Sequence, residues 1–96
     1  MSYIKPELAI SPKSRLRKGS LVVIHDGGQN KCDNKNWSMA EMVWDGVVRI
    51  GLRWNGDDET PAGNPQSRGQ ATWFILPPEI AEVVYEWVKK NKKMLS

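Results

Sequence analysis

Residues 37–56, WSMAEMVWDGVVRIGLRWNG, decide the fold, because they predict a β-hairpin whose turn is Asp45-Gly46. Asp-Gly between two runs of strand-forming residues is the strongest short-range hairpin signal, since both turn positions need a positive φ. A two-residue turn then fixes the register of both strands. The predicted pairs are Trp44 with Val47, Val43 with Val48, Met42 with Arg49, Glu41 with Ile50, Ala40 with Gly51, Met39 with Leu52, Ser38 with Arg53, and Trp37 with Trp54.

This register divides the side chains between two faces, because side chains alternate along a strand. The Met39 face consists of Trp37, Met39, Glu41, Val43, Val48, Ile50, Leu52 and Trp54. The Ala40 face consists of Ser38, Ala40, Met42, Trp44, Val47, Arg49, Gly51 and Arg53. All but one of the side chains on the Met39 face are apolar, so we expect that face to line the core and the Ala40 face to reach solvent or a partner. A bulge at Gly46 would shift the register and exchange the faces.

The flanking sequence adds two strands and a helix to the hairpin. Residues 20–25, SLVVIH, and residues 71–76, ATWFIL, read as strands that are apolar on both sides. Polar loops are predicted over 26–36 and 55–70. Pro77-Pro78 begins a helix whose apolar stripe is Ile80, Val83, Val84, Trp87 and Val88. The predicted fold class is α+β: a small, strongly bent antiparallel sheet or part-closed barrel of about four strands, with one C-terminal helix.

The length of 96 residues predicts a single domain with one modest core. We divide the chain into an N-terminal arm over residues 1–18, a β-rich domain with its C-terminal helix over 19–91, and a basic tail over 92–96. Three apolar residues of the arm are expected to lie on the body of the domain, the alternative being a frayed terminus. They are Ile4, Leu8 and Ile10.

The net charge of +3 is distributed unevenly along the chain. Residues 1–20 carry five basic side chains and one acidic one, and residues 85–96 carry four basic and one acidic. The middle, residues 21–84, carries five basic and nine acidic side chains. The body is therefore no basic platform for nucleic acid, and only the two ends are suited to act as electrostatic arms.

The composition argues against several functional classes. The single cysteine, Cys32, excludes an intrachain disulfide and favours a cytoplasmic location. No stretch has the 18 apolar residues of a membrane span, and the N-terminus lacks the apolar run of a secretory signal. One histidine and one cysteine do not complete a zinc site, and a His25–Cys32 catalytic pair would lack a third group. We therefore expect no catalytic residues, no metal and no cofactor.

The candidate binding site combines the polar half of the Ala40 face with the second polar loop. Its residues are Arg49, Arg53, Trp44, Asn55, Ser67 and Arg68. Arginine beside an aromatic ring suits phosphate contact and base stacking. The same residue types are enriched at protein interfaces. In the alternative interpretation Arg53 pairs internally with an acidic group, and the tryptophans are core residues.

Three segments together resemble a family of small uncharacterised bacterial proteins, some of them carried on accessory or mobile DNA. They are Trp37-Ser-Met-Ala-Glu41, the segment Arg49-Ile-Gly-Leu-Arg-Trp-Asn-Gly56, and the segment Gly63–Pro77 with its Thr-Trp-Phe. The resemblance spans about residues 19–80. It implies a bacterial cytoplasmic protein with a compact β-rich domain, and it assigns no activity and no functional residues.

The sequence thus predicts a non-enzymatic binding domain. Nucleic acid is the favoured partner, through the Arg/Trp face and the basic ends. The alternative is a protein-interaction or homo-oligomeric module, with a homodimer formed through the arm and the sheet edges. An enzyme that holds a small substrate in the loop 55–70 is the least favoured class.

Overall fold

The computed structural model describes residues 4–29 and 34–95, and it confirms the predicted α+β fold class. The strands are β1 (Val22–Asp26), β2 (Trp37–Trp44), β3 (Val47–Trp54), β4 (Gln66–Ser67), β5 (Gln70–Ala71) and β6 (Phe74–Ile75); the helices are α1 (Pro78–Lys90), α2 (Lys92–Leu95) and a 3₁₀ turn at Pro6–Leu8. Four strands form an antiparallel sheet in the order β1-β2-β3-β6, and β4 and β5 form a separate small hairpin. The four-stranded sheet is not closed into a barrel within the described residues.

The hairpin of β2 and β3 has the predicted register throughout, from Trp44 opposite Val47 to Trp37 opposite Trp54. Asp45 has φ 52° and Gly46 has φ 81°, so both turn positions lie in the left-handed region. A two-residue turn of this kind matches the right-handed twist of the strands that it joins. The bulge at Gly46 that would have exchanged the faces does not form.

The prediction that the Met39 face lines the main core is wrong, because the largest buried cluster lies on the Ala40 face. Its members are Ala9, Leu16, Ala40, Met42, Trp44, Ala71 and Trp73. The N-terminal segment and residues 71–73 supply the apolar side chains that cover this face. Gly51 allows the close approach, since a Cβ atom at that position would lie 2.9 Å from the Cβ atom of Trp73.

The N-terminal segment is packed into the structure. Leu16 bridges Trp44 at the end of β2, and the carbonyl of Val43 accepts a 2.9 Å hydrogen bond from the backbone amide of Arg17. The buried carbonyl of Ala9 accepts a 2.7 Å hydrogen bond from Trp73 Nε1. Of the three apolar residues expected to lie on the body, only Ile4 packs against the core, whereas Leu8 and Ile10 are exposed. Residues before 19 therefore share one core with the strands.

Helix α1 begins at Pro78 as predicted and lies against β3. Lys92, just beyond its end, is close enough to His25 on the Met39 face to affect the pKa of that side chain. The helix is thus on the Met39 face, where Met39 and Val88 are completely buried. The predicted apolar stripe is divided: Val88 is buried and Val84 is half-buried, while three residues are exposed. These three are Ile80, Val83 and Trp87.

The fourth strand is shorter than predicted. Among residues 71–76, Ala71 pairs within β5 and Phe74–Ile75 form β6, and the amide of Leu76 donates a 2.9 Å hydrogen bond to the carbonyl of Ile50 in β3. Between β5 and β6, Thr72 and Trp73 are buried, so the chain leaves the ladder where Trp73 enters the core. Packing of one large ring has overridden the apolar pattern that predicted a continuous strand.

Candidate functional site

The six predicted site residues do not form one surface. Trp44 and Arg49 lie near the hairpin turn, and Arg53 and Asn55 lie at the opposite end of β3. Ser67 and Arg68 belong to the small hairpin of β4 and β5, with Arg68 exposed at a φ of 51° in its turn. The structure buries Trp44, Arg53 and Asn55. The exposed Arg/Trp face that motivated the site is therefore absent from the hairpin.

Arg53 connects the sheet to the chain that follows β3 through hydrogen bonds to backbone carbonyls. Its Nη1 donates a hydrogen bond to the carbonyl of Thr72, and its Nη2 donates one to the carbonyl of Ala62. The carbonyl of Pro65 lies 3.5 Å from Nη1, and the guanidinium carbon is 5.8 Å from the centre of the Trp73 ring. Burial lowers the pKa of Arg53 to about 10, which leaves it cationic at neutral pH. Arg53 therefore has the internal role of the alternative interpretation, but its partners are backbone carbonyls instead of an acidic side chain.

Asn55 joins the other loop to the same end of the sheet. Its Nδ2 donates to the carbonyl of Gly28 at 2.8 Å and to Asp26 Oδ1 at 3.3 Å. Its Oδ1 accepts a 2.8 Å hydrogen bond from the buried hydroxyl of Ser38. Buried polar groups that are satisfied in this way fix one arrangement of the chain. Asn55 therefore has a structural role in closing the end of the sheet.

The segment 13–18 brings basic residues to the hairpin turn, because its backbone is hydrogen-bonded to Val43 and to Asp45; together with Arg49 we call them the tip cluster. Its members are Lys13, Arg15, Arg17, Lys18 and Arg49. Arg15 lies 5.1 Å from the Trp44 ring centre and makes a two-pronged ion pair with Asp45, with Nη2 2.6 Å from Oδ2. The hydrogen bond from Arg15, supplemented by the charges of Arg15 and Arg49, holds the pKa of Asp45 below its usual range. The cluster is exposed apart from the half-buried Arg49.

An apolar groove opens on the Met39 face at the end opposite the turn, and we call it the Trp54 groove. It has a volume of about 540 Å³ and is lined by Trp37, Leu52, Arg53, Trp54, Asn64, Pro65, Phe74 and Leu76. Two neighbouring cross-strand pairs build it, Trp37 with Trp54 and Leu52 with Phe74. Directly paired residues point to the same face, so these four side chains lie side by side.

The rings at the rim of the Trp54 groove are open to solvent. Trp54 is 48% exposed and Phe74 is 63% exposed, whereas Leu76 is buried. The loop that leaves the groove at Trp54 returns at Asn64, which is hydrogen-bonded to Trp54 in both directions. Between these points the chain carries Asp57, Asp58 and Glu59. An apolar surface with aromatic edges therefore lies beside an acidic loop.

His25 is the remaining titratable group of interest on this face. Its ring is 4.5 Å from that of Trp37, tilted by 51°, and its Nε2 is buried without a hydrogen-bond partner. Burial lowers the pKa of His25; Asp26 opposes this shift and Lys92 adds to it. The sequence argued against a His25–Cys32 catalytic pair, and that pair lies outside the described residues, because Cys32 does. Within residues 4–29 and 34–95, no group of three His, Cys, Asp or Glu side chains is placed to hold a metal ion.

The Trp54 groove is not among the features that the sequence predicts. The available signal was the excess of large apolar residues on the Met39 face, which one short helix does not cover. The sequence also places Trp54 in the core and Trp44 in the candidate binding site, whereas Trp44 is buried and Trp54 is half exposed. The contributions of Phe74, Asn64 and Pro65 depend on how the chain returns after the loop 55–70, and no sequence pattern indicates that path directly.

Comparison with known proteins finds no family model, no curated protein and no solved structure that matches this chain. The resemblance to small bacterial proteins therefore stays a prediction. In the part of the chain that the structure describes, no helix combines the length and the apolar character that crossing a membrane requires.

Proposed function

We propose that this chain is a non-enzymatic protein-binding domain and that the Trp54 groove receives the partner. The observation that carries this proposal is the pair of exposed aromatic rings, Trp54 and Phe74, at the rim of an apolar groove of about 540 Å³. Aromatic side chains are enriched at the centres of protein interfaces, where they bury large apolar areas. The cytoplasmic setting favoured by the single cysteine stays a prediction.

The shape and the charge of the groove specify the partner further. Both rim rings are open to solvent, so a small ligand would remain partly unenclosed, whereas a protein segment laid across the rings would bury them. The acidic residues Asp58 and Glu59 in the adjoining loop favour basic groups beside the apolar contact. We infer a segment that inserts a large aliphatic or aromatic side chain and carries lysine or arginine next to it.

A random peptide library panned against the intact domain tests this proposal. We expect enrichment of sequences with one large apolar residue beside a basic residue. Phe74→Asp should abolish their binding, because it places a charge at the rim of the groove. Val48→Asp is the matched control, since Val48 is 61% exposed on the same face but does not line the groove.

The folding of the two variants is checked separately from their binding. Circular dichroism should show that both variants keep the wild-type fold, since both side chains are exposed. Glu59→Lys should weaken the basic peptides without preventing their binding. Peptides that lack an apolar anchor, or that bind the Phe74 and Val48 variants equally well, would refute the groove as the binding site.

The tip cluster supports nucleic acid as a second candidate partner. The tip cluster has four exposed basic side chains and the half-buried Arg49, and two of its arginines, Arg15 and Arg49, act on the acidic Asp45 at the turn. Such a concentration of positive charge suits contacts with phosphates. The predicted stacking and phosphate contacts of Trp44 and Arg53 do not contribute to this candidate, because both side chains are buried.

Titration of a labelled oligonucleotide at two salt concentrations tests the second candidate. Each phosphate contact contributes roughly 0.7–0.9 to the slope of log affinity against log salt. Arg17→Ala should therefore weaken binding and lower that slope by about one contact, whereas Arg68→Ala, an exposed arginine outside the tip cluster, should not. Absence of binding by the intact protein at low salt would eliminate nucleic acid as the partner.

A further inference from the structure

The outward side of α1 carries apolar side chains that nothing in the described part of the chain covers. Ile80 is 51% exposed, Val83 is 69% exposed and Trp87 is 46% exposed. Their spacing of i, i+3 and i+7 places them in one line along the helix, which we call the Trp87 stripe. None of the three lines the Trp54 groove. This surface is therefore independent of the proposed function.

Charged residues accompany the Trp87 stripe in a pattern that complements itself. Glu79 lies in the first turn of α1 and Lys90 in the last. The separation of eleven residues is about three helical turns, so both lie along the same flank of the stripe. The distribution stabilises the helix dipole by itself. It also places opposite charges at the two ends of one flank.

We propose that a second copy of this chain docks on the Trp87 stripe with its helix α1 antiparallel to the first. In a two-fold arrangement the same flank of each helix faces the other, so Glu79 meets Lys90 of the second copy, and the converse pair forms as well. The same register brings Val83 to within one residue of Trp87 of the second copy, an axial offset of about 1.5 Å. A partner with the same helix thus satisfies both the apolar and the charged parts of this surface.

The size of the stripe determines how tightly the two copies associate. Specific stable interfaces bury roughly 800 Å² per partner, and three side chains supply only part of that area. Exposed ion pairs contribute little affinity, but they select register and orientation. The dimer is therefore a dissociable one, whose population rises with protein concentration and falls with salt.

Sedimentation equilibrium of the intact protein over a range of concentrations at low salt tests this proposal. We expect a monomer–dimer equilibrium. Val83→Asp should raise the dissociation constant about tenfold or more, because it buries an unpaired carboxylate in the dimer. Val83 is the most exposed residue of the stripe, so circular dichroism should show that the variant monomer keeps its fold.

Exchanging the charges provides a test that does not depend on monomer stability. Glu79→Lys and Lys90→Glu should each raise the dissociation constant about fivefold, because each places two like-charge pairs across the two-fold axis. An equimolar mixture of the two variants should restore the affinity, since both contacts become opposite-charge pairs again. Glu82→Lys is the matched control, because Glu82 lies in the same half of α1 on a side turned away from the stripe.

Three results would overturn the proposal. They are a monomer at all concentrations, a dimer that persists unchanged in the Val83→Asp variant, and a mixture of charge variants that associates no better than each variant alone. None of these results bears on peptide binding in the Trp54 groove, because the altered residues lie outside it.

Discussion

At the scale of single residues, the buried polar side chains determine how the loops attach to the sheet. Arg53 is 3% exposed and contacts the carbonyls of Thr72, Ala62 and Pro65. Asn55 contacts Gly28 and Ser38 at the same end of the sheet. Both residues lie at the C-terminal end of β3, and each attaches a different loop to the sheet. Their chemistry would also suit ligand binding, which is why residue type alone did not reveal their role.

The first prediction concerns Arg53. Arg53→Ala leaves buried carbonyls without donors, so we expect the free energy of unfolding to fall by roughly 1–3 kcal/mol. Urea denaturation followed by circular dichroism measures this effect. Arg49→Ala is the control, because that half-buried side chain lies on the same face and should change stability by about 0.5 kcal/mol or less. An unchanged midpoint for Arg53→Ala would show that the interior contacts are not needed for stability.

The second prediction concerns His25, whose pKa is lowered in the folded state from 6.5. The unfolded chain then binds a proton more readily, so stability falls as the pH drops below about 6.5 and stops falling below the folded-state pKa. Melting temperatures between pH 7.5 and 5 should show this decrease, and His25→Asn should reduce it. Asp45→Asn should leave the decrease between pH 7.5 and 5 unaffected, because the hydrogen bond from Arg15 lowers the pKa of Asp45 from 3.8, so this carboxylate stays ionised in that range.

At the scale of the elements, the hairpin of β2 and β3 is where local sequence determines structure most completely. Asp45-Gly46 fixes the turn, the turn fixes the register, and the register assigns each side chain to a face. No Cβ clash excludes a larger residue at position 46, since nothing lies within 4 Å of that position. The requirement for glycine there is a matter of backbone conformation alone.

The third prediction follows from that turn. Gly46→Val should lower the free energy of unfolding by about 1 kcal/mol or more, because a β-branched residue at a φ of 81° is strained. Thermal denaturation measures the effect. A valine in place of Gln70, a strand residue whose position needs no positive φ, serves as the control and should cost less. Equal stability of the Gly46 variant and the wild type would argue against the turn.

The fourth prediction compares two tryptophans. Trp73 is 3% exposed and donates its Nε1–H to Ala9, so Trp73→Ala should cost roughly 3–5 kcal/mol. Trp87 is 46% exposed on α1, so Trp87→Ala should cost clearly less than that range. Urea denaturation at low protein concentration measures both values. The reverse order would mean that α1 contributes more to the core than its exposure indicates.

The hairpin also shows where prediction from the sequence ends. Register is a local property, so Asp45-Gly46 was enough to predict it. Which face is buried depends on what packs there, and Leu16 and Trp73 are distant in the sequence from the strands that they cover. The same reasoning applies to the candidate site. The burial of Arg53 depends on the carbonyls of a loop about ten to twenty residues further along the chain, and no sequence pattern predicts that return path.

At the scale of the whole molecule, the two faces of the sheet are covered by opposite ends of the chain. The N-terminal segment lies on the Ala40 face, with Ala9 and Leu16 in the core. Helix α1 lies on the Met39 face and leaves the Trp54 groove open beside it. Each end thus contributes to folding as well as carrying basic charge. Removing an end changes stability and electrostatics together, so point variants are the better probes of partner binding.

The fifth prediction follows from this arrangement. Deletion of residues 1–10 removes Ala9 from the core, leaves Trp73 Nε1–H without its acceptor, and removes the hydrogen bond between the Ile4 amide and the Pro61 carbonyl. The unsatisfied indole donor alone costs roughly 1–3 kcal/mol, and the lost apolar contacts add to that. We therefore expect a clearly lower melting temperature at every protein concentration, with or without dimers. Deletion of residues 94–96 is the control. This deletion should change the melting temperature little, because Met94 is exposed and α2 contributes no buried residue. A shortened chain that melts at the wild-type temperature would show that the N-terminal segment is not part of the core. A decrease that disappears on dilution would instead tie the segment to association between copies.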